Sequence, residues 1–337
     1  MIDLLPSDEQ RQIVASVAEF ASRELSIGRL WNSEHAGARI GTDLWREIAG
    51  LGWFGLGLPV ERGGAGYTLV EEMLVARELG RHVSSPALLA AILGAHAADE
   101  AGLDEIRDGI VQGQIPVALA NQIGARTNSY HVFDATDDAM LLTWTQVDCR
   151  MFANSAFRDR RRVAAIDDSV VVERARQVDS PTISLPIPRS TLARRATLLV
   201  TAQLVGVSEA ARDQAVEYAK VREQFGQPIG AFQALKHRCA DMAVQAELAY
   251  AQTFLAGLFE LHEQADSLFQ GAAARVLAGA AALGTARDAI QIHGAIGFTW
   301  DCDVHWLLKR AHLLRQLGGP PAAFRRVLRD HCPALAA

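Results

Sequence analysis

The sequence predicts a mostly helical protein with a small β domain set between two helical ones. Three observations carry this prediction. Helical apolar spacing dominates residues 7–114 and 191–290, short apolar runs separated by turn residues fill 116–188, and Pro181, Pro186 and Pro188 mark the return from the second pattern to the first. At 337 residues, half of them hydrophobic, the chain is long enough for two or three modules around a large core. The expected division is 1–115, 116–190 and 191–337.

In the first region, Ser7 and Gln10 have capping-box spacing, and Ile13, Val14, Val17, Phe20 and Ala21 then fall on one face. Further helices are expected from Asp43 to Leu51 and from Leu69 to Gly80. Between them, Leu58-Pro59-Val60-Glu61-Arg62-Gly63-Gly64-Ala65-Gly66-Tyr67 reads as a tight connection. The middle region offers strands at Val117–Ala120, Met140–Trp144, Val163–Ile166 and Val170–Val172, with turns at Asp134–Asp138 and Asp167–Asp168. The basic cluster Arg158, Arg160, Arg161 and Arg162 reads as a solvated turn rather than an anion site.

Long helices return in the third region. Leu199, Leu204, Val207, Ala211, Ala215 and Tyr218 approximate one helical face, and Leu235, Cys239, Met242, Ala246 and Ala249 the next. From Gly271 to Ala286 the chain is crowded with Ala and Gly, which lets helix backbones approach closely and suits a four-helix bundle with tight subunit contacts.

Composition narrows the function. A formal net charge of −6 argues against nucleic acid. Cys149, Cys239, Cys302 and Cys332 are far apart, with no CxxC or zinc-like Cys/His spacing, so no metal is expected and the thiols read as reduced, in the cytoplasm. The acidic start Met1-Ile-Asp-Leu-Leu-Pro-Ser-Asp-Glu is unlike a signal peptide, and no uncharged apolar run reaches ~18 residues, so no membrane is expected.

The informative motif runs from Tyr218 to Met242. Arg222 falls where one long helix ends and Gln233 where the next begins, with Phe225-Gly226 and Pro228 enforcing the turn. A guanidinium there can grip a pyrophosphate, a helix start offers free N–H donors, and Phe225 presents a flat apolar face. Taken alone, Arg222 reads as a surface salt-bridge partner. The 25-residue block as a whole, however, resembles the C-terminal signature of the acyl-CoA dehydrogenase family, and Gln291-Ile-His-Gly294-Ala295-Ile-Gly297-Phe298 resembles that family's second flavin segment.

The resemblance implies an N-terminal helical domain, a shortened β-barrel-like middle domain and a C-terminal four-helix bundle. It also implies FAD as cofactor, with Arg222, Phe225, Gln233, Gln291, Gly294 and Ala295 as cofactor-binding residues that reach across a dimer interface to the neighbour's flavin. Ala295 stands where the family has a second glycine, adding one methyl where backbone comes close to the cofactor.

Other family features are absent. Leu119-Ala120-Asn121-Gln122-Ile123-Gly124-Ala125-Arg126 replaces the Thr-Glu-Pro-x-x-Gly-Ser-Asp loop, and no Trp-Ile-Thr follows, Trp144 being a doubtful counterpart. Aligning Lys309-Arg310-Ala311 with the family's Arg-Asp-Ala puts Gly318 where the catalytic Glu stands. The alternative base position, on the preceding helix, falls at about Ala196 between Arg195 and Thr197. No catalytic residue is therefore assigned. Glu209 and Glu217 read as solvated or salt-bridged, Asp301 and Asp303 as structural, and His237 and His305 as packing residues.

The family's reaction removes an α-proton from an acyl-CoA and passes the β-hydrogen to flavin as hydride, with an electron acceptor such as an electron-transfer flavoprotein downstream. A chain without the base is expected to work as a subunit of an α2β2 heterotetramer with a longer paralogue. The resemblance is to short subunits of this kind in actinobacterial sterol side-chain degradation, so a fatty or steroid side chain is the expected acyl group. Two other readings stand beside it: a homomeric dehydrogenase or oxidase with an unrecognised base, and a non-catalytic scaffold.

Overall fold

A computed structural model describes residues 5–32, 39–124, 127–146, 148–186 and 191–332. Ala125, Arg126, Pro188 and the expected boundary at 190 lie outside the described residues. Five helices come first: α1 (Asp8–Glu24), α2 (Thr42–Gly50), α3 (Leu69–Arg81), α4 (Pro86–Glu100) and α5 (Asp104–Val111). Ser7 and Gln10 form the expected capping box on α1, and Thr68 with Glu71 forms a second one on α3. The glycine-rich connection before α3 folds back on itself through Gly66 N–H to Leu58 O (2.9 Å) and Tyr67 N–H to Leu56 O (3.1 Å).

The strands follow as β1 (Val117–Gln122), β2 (Ser129–Phe133), β3 (Met140–Trp144), β4 (Asp148–Phe152), β5 (Phe157–Val163), β6 (Val172–Gln177) and β7 (Ile183–Pro186). They form one sheet in the order β5-β6-β2-β1-β3-β4-β7, with β1 and β3 parallel and every other neighbouring pair antiparallel. Three expectations need correction. The arginine cluster is not a turn but lies in β5, an edge strand held by backbone pairing with β6. Of Val163–Ile166 only Val163 is in a strand, and of Val170–Val172 only Val172 is, because the intervening residues make the loop that carries Asp167 and Ser169.

The last part holds α6 (Leu192–Val221), a small hairpin of β8 (Glu223–Gln224) and β9 (Gln227–Pro228), then α7 (Gln233–Leu261), α8 (Ser267–His293), α9 (Val304–Leu314) and α10 (Pro321–Asp330). Helix α6 packs on α3, α7, α8 and α9 and so forms the axis of the molecule. Ala274, Ala278, Ala282 and Ala286, spaced by four, form a fully buried stripe on α8 that permits its close packing.

One buried polar junction joins the three parts. Arg310 of α9 pairs with Asp167 (2.7 Å) and donates to Ser84 O and Ser169 Oγ. Asp134, after β2, accepts from Ser85 Oγ (2.6 Å) and Val171 N–H (2.8 Å). Arg29 donates to His82 O and Val83 O of the same α3–α4 linker. Each buried charge is thus paired or hydrogen-bonded, the condition for tolerating it in a core.

Candidate cofactor half-site and the packed base positions

Helix α6 stops at Val221 because Arg222 turns to extended backbone, and the chain reverses through the β8–β9 hairpin. Phe225 (φ 54°) and Gly226 (φ 77°) occupy the two left-handed positions that a type I′ turn requires. Gly226 meets that demand freely, whereas Phe225 does so at a cost of about 1 kcal/mol. Its ring is nonetheless 92% exposed, touching Phe232 edge-on at 6.0 Å between centroids. Ile229 N–H to Arg222 O (2.7 Å) closes the hairpin.

Arg222 is exposed, and among the described residues no carboxylate pairs with it. Gln233 opens α7 directly after Phe232, whose side chain has no oxygen to cap the first amides. Gly294 (φ 69°) ends α8, with Gln291 and Ala295 exposed beside it. The two segments are held at the same end of the bundle by Tyr218 stacked on His293 (4.2 Å between centroids) and by the Arg238–Asp288 ion pair (2.7 Å). Burial pushes the His293 imidazole below its ordinary pKa, and its Nδ1 meets Ala289 O at 2.7 Å. An unpaired guanidinium, an uncapped helix start, an exposed aromatic face and a left-handed glycine are chemically suited to the pyrophosphate and adenine of a dinucleotide.

The two positions that align with the family's base are different in kind. Gly318 is buried with φ 72°, and a Cβ there would run into the Trp144 indole Nε1 and lie 3.0 Å from Cε2. Trp144, at the end of β3, is 4% exposed, and its Nε1 has no hydrogen-bond partner. Ala196 is 0% exposed. A side chain at 318 cannot project without displacing Trp144, and Ala196 is part of the hydrophobic core.

The buried carboxylates among the candidates are occupied. Glu72 of α3, buried between α4 and α6, accepts from Arg195 and lies 2.6 Å from His96 Nε2. Its carboxyl is desolvated by burial, yet His96 and Arg195 more than offset this and hold it below the ordinary carboxylate pKa. Glu209 pairs with Arg77 (2.7 Å) and Arg81, Glu217 pairs with Lys220 at the surface, and Asp301 is exposed. His305 packs against Trp300 and Trp306 as expected, and burial lowers its pKa. His237 does not: it is exposed on the first turns of α7.

Sequence reasoning missed Trp144 as the residue that closes position 318, and Glu72 as a buried carboxylate bound to Arg195, the neighbour of Ala196. The contact between β3 and the segment after α9 has no signal in local spacing. Leu-Thr-Trp144-Thr shows only that the tryptophan ends a strand.

The acyl-CoA dehydrogenase N-terminal domain model matches residues 7–113 and the C-terminal domain model matches 189–331, bracketing the sheet. Two such matches around a central sheet define a flavoprotein oxidoreductase of helix–sheet–helix build. The chain is 30% identical over 333 residues to the acyl-CoA dehydrogenase IpdE2 of Mycobacterium tuberculosis, covering 97% of each. With the acyl-CoA dehydrogenase FadE34 of the same organism it shares 30% identity over 344 residues, 95% of this chain but 48% of the relative. A chain in the crystal structure of the ChsE4-ChsE5 complex from Mycobacterium tuberculosis has the same fold, with a TM-score of 0.81, 20% identity and 98% coverage of both chains. The chain belongs to the acyl-CoA dehydrogenase family, and FAD is the cofactor that membership brings.

Among the described residues no helix is long and apolar enough to cross a membrane, and no group of three or more His, Cys, Asp or Glu is placed to hold a metal ion.

Proposed function

We propose that this chain is the non-basic subunit of a heteromeric acyl-CoA dehydrogenase. It lends Arg222, Phe225, Gln233, Gln291, Gly294 and Ala295 to the FAD of a longer paralogue, which supplies the flavin-ring pocket and the catalytic carboxylate. When bound, FAD would supply the hydride acceptor; Arg222, Phe225, Gln233, Gln291, Gly294 and Ala295 would hold its phosphates and adenine and take no part in proton abstraction. The observation that carries the reading is the contrast between position 318, filled by Trp144, and the hairpin at 222–228, which keeps a charged and an aromatic side chain open to solvent.

Two relatives support it. FadE34 is about twice the length of the segment that this chain matches, so a similar unit exists within a longer polypeptide. The ChsE4-ChsE5 complex joins two different chains, one of which has this fold. On this reading the assembly is α2β2 and cytoplasmic, acts on an acyl-CoA with a fatty or steroid side chain, and passes electrons to a flavoprotein acceptor. The homomeric alternative needs a free base, and the buried carboxylate of Glu72 is already held by Arg195 and His96.

Arg222→Ala in the reconstituted complex tests the half-site. Losing a charge-assisted hydrogen bond of about 1.5–3 kcal/mol lowers flavin affinity roughly tenfold or more. Unchanged flavin content and turnover would instead mark the chain as a scaffold.

A further inference from the structure

Strands β5 and β6 place arginines opposite one another. Arg158 faces Arg176 and Arg161 faces Arg174, while on the next strand His131 faces Arg174. Directly opposed residues share one face of a sheet with Cβ atoms about 5 Å apart, and like charges so placed destabilise it. The four arginines are exposed. Asp159 pairs with Arg176 (2.7 Å), and Glu173 is taken by Arg160 (2.8 Å). Among the described residues no carboxylate pairs with Arg158, Arg161 or Arg174. Burial, with Arg174 second, pushes the His131 imidazole down, so the local positive field is felt two strands in from the edge.

Protection of the edge explains only part of this. Charged residues and a bulge on an edge strand deter sheet-to-sheet aggregation, and β5 has both, with the irregularity between Arg158 and Arg161. Arg174 and Arg176, however, lie on β6, and His131 on β2, where the backbone is already paired on both sides. A chain of net charge −6 that sets arginines of β6 opposite those of β5 gives up stability there, and the β6 members add no edge protection.

We infer that the face bearing Arg158, Arg161, Arg174 and Arg176 is a docking surface for an acidic protein surface. The argument for that occupant is charge complementarity. Two rows of guanidinium groups, about two strand residues apart along β6, match carboxylates presented on a partner's exposed face. Association through such a face is fast and falls with ionic strength.

The test uses the full chain with poly-L-glutamate as the acidic probe, compared with a duplex DNA oligomer and with vesicles of phosphatidylserine and phosphatidylcholine. Poly-L-glutamate should bind more tightly than either, and weaken as salt rises from 50 to 300 mM. The double reversal Arg161→Glu with Arg174→Glu should weaken this binding by roughly tenfold, as expected for losing several exposed charge contacts. Reversal of the distant, exposed Arg329 should leave it unchanged. Arg174→Glu alone, now opposite Arg161, should raise the thermal midpoint of the free chain while lowering binding, the signature of a surface kept for a partner. Binding that is indifferent to the double reversal overturns the inference, as does a preference for DNA or vesicles. So does a rise in thermal midpoint without any loss of binding.

Discussion

At position 318 a glycine is required twice over: its φ of 72° lies in the left-handed region, and the Trp144 indole occupies the volume that a side chain would enter. Restoring a carboxylate there is therefore expected to fail as a repair. Gly318→Glu should lower stability by about 3 kcal/mol, combining overpacking with an unfavourable φ, and should give no activity in the isolated chain. The packing part can be separated by a double-mutant cycle in urea. Gly318→Ala should cost clearly less in a Trp144→Ala background than in the parent, because the clash is gone while the φ strain remains. Strict additivity would mean that the two residues do not compete for space. Phe225 makes the opposite case, a bulky residue held at φ 54° with its ring in solvent. Phe225→Gly should stabilise the free chain by up to about 1 kcal/mol, through relief of that φ, and weaken flavin retention in the complex. An unaltered complex would remove Phe225 from the half-site.

Among the elements, those with strong local signals were legible. Ser7 and Gln10 announce α1, and the Ala- and Gly-rich stretch 271–286 falls within α8. The change from Tyr218 through Gly226 to Gln233 locates the α6–α7 hairpin to the residue. Strands β2 and β4 were not anticipated, since Ser-Tyr-His-Val-Phe and Asp-Cys-Arg-Met-Phe are short and mix polar with apolar residues. Strand β5 has no apolar alternation at all; pairing with β6 decides its conformation, and tertiary context is what a local reading lacks. The junction around the α3–α4 linker was equally hidden, because its members Arg29, Asp134, Asp167 and Arg310 come from four separate segments.

That junction predicts an unusual pH profile. Burial pushes the Asp134 carboxyl up to about 6, whereas the unfolded chain releases that proton near 3.8, so between these values the folded state holds more protons and stability falls as pH rises. Burial, then Arg81 and Arg29, push His82 down to about 4, whereas the unfolded chain protonates it near 6.5, so across that window stability rises with pH. The two slopes oppose each other between about pH 4 and 6. Asp134→Asn should leave stability climbing with pH by up to about 1.4 kcal/mol per unit, and His82→Gln should leave it falling. Urea midpoints at pH 4.5 and 6 read the difference; two flat profiles would show that neither group titrates in this window.

On the scale of the whole molecule, the acyl-CoA dehydrogenase fold packs positions 196 and 318 in its interior, and the open chemistry lies at one end of the α6–α8 bundle. Family membership was legible in the 218–242 block, and Gly318 is where the alignment with the family places the carboxylate. That this position is sealed was not legible, because it depends on β3 meeting the segment after α9. The sharing of one flavin between unlike chains is the central claim, and cofactor stoichiometry tests it directly. Co-expressed with a longer homologue from its genomic neighbourhood, the chain should yield an α2β2 complex with FAD at half of the possible sites, by absorbance against protein mass, and alone it should be colourless. One FAD per chain, or a yellow protein without its partner that an acyl-CoA reduces, would contradict the account.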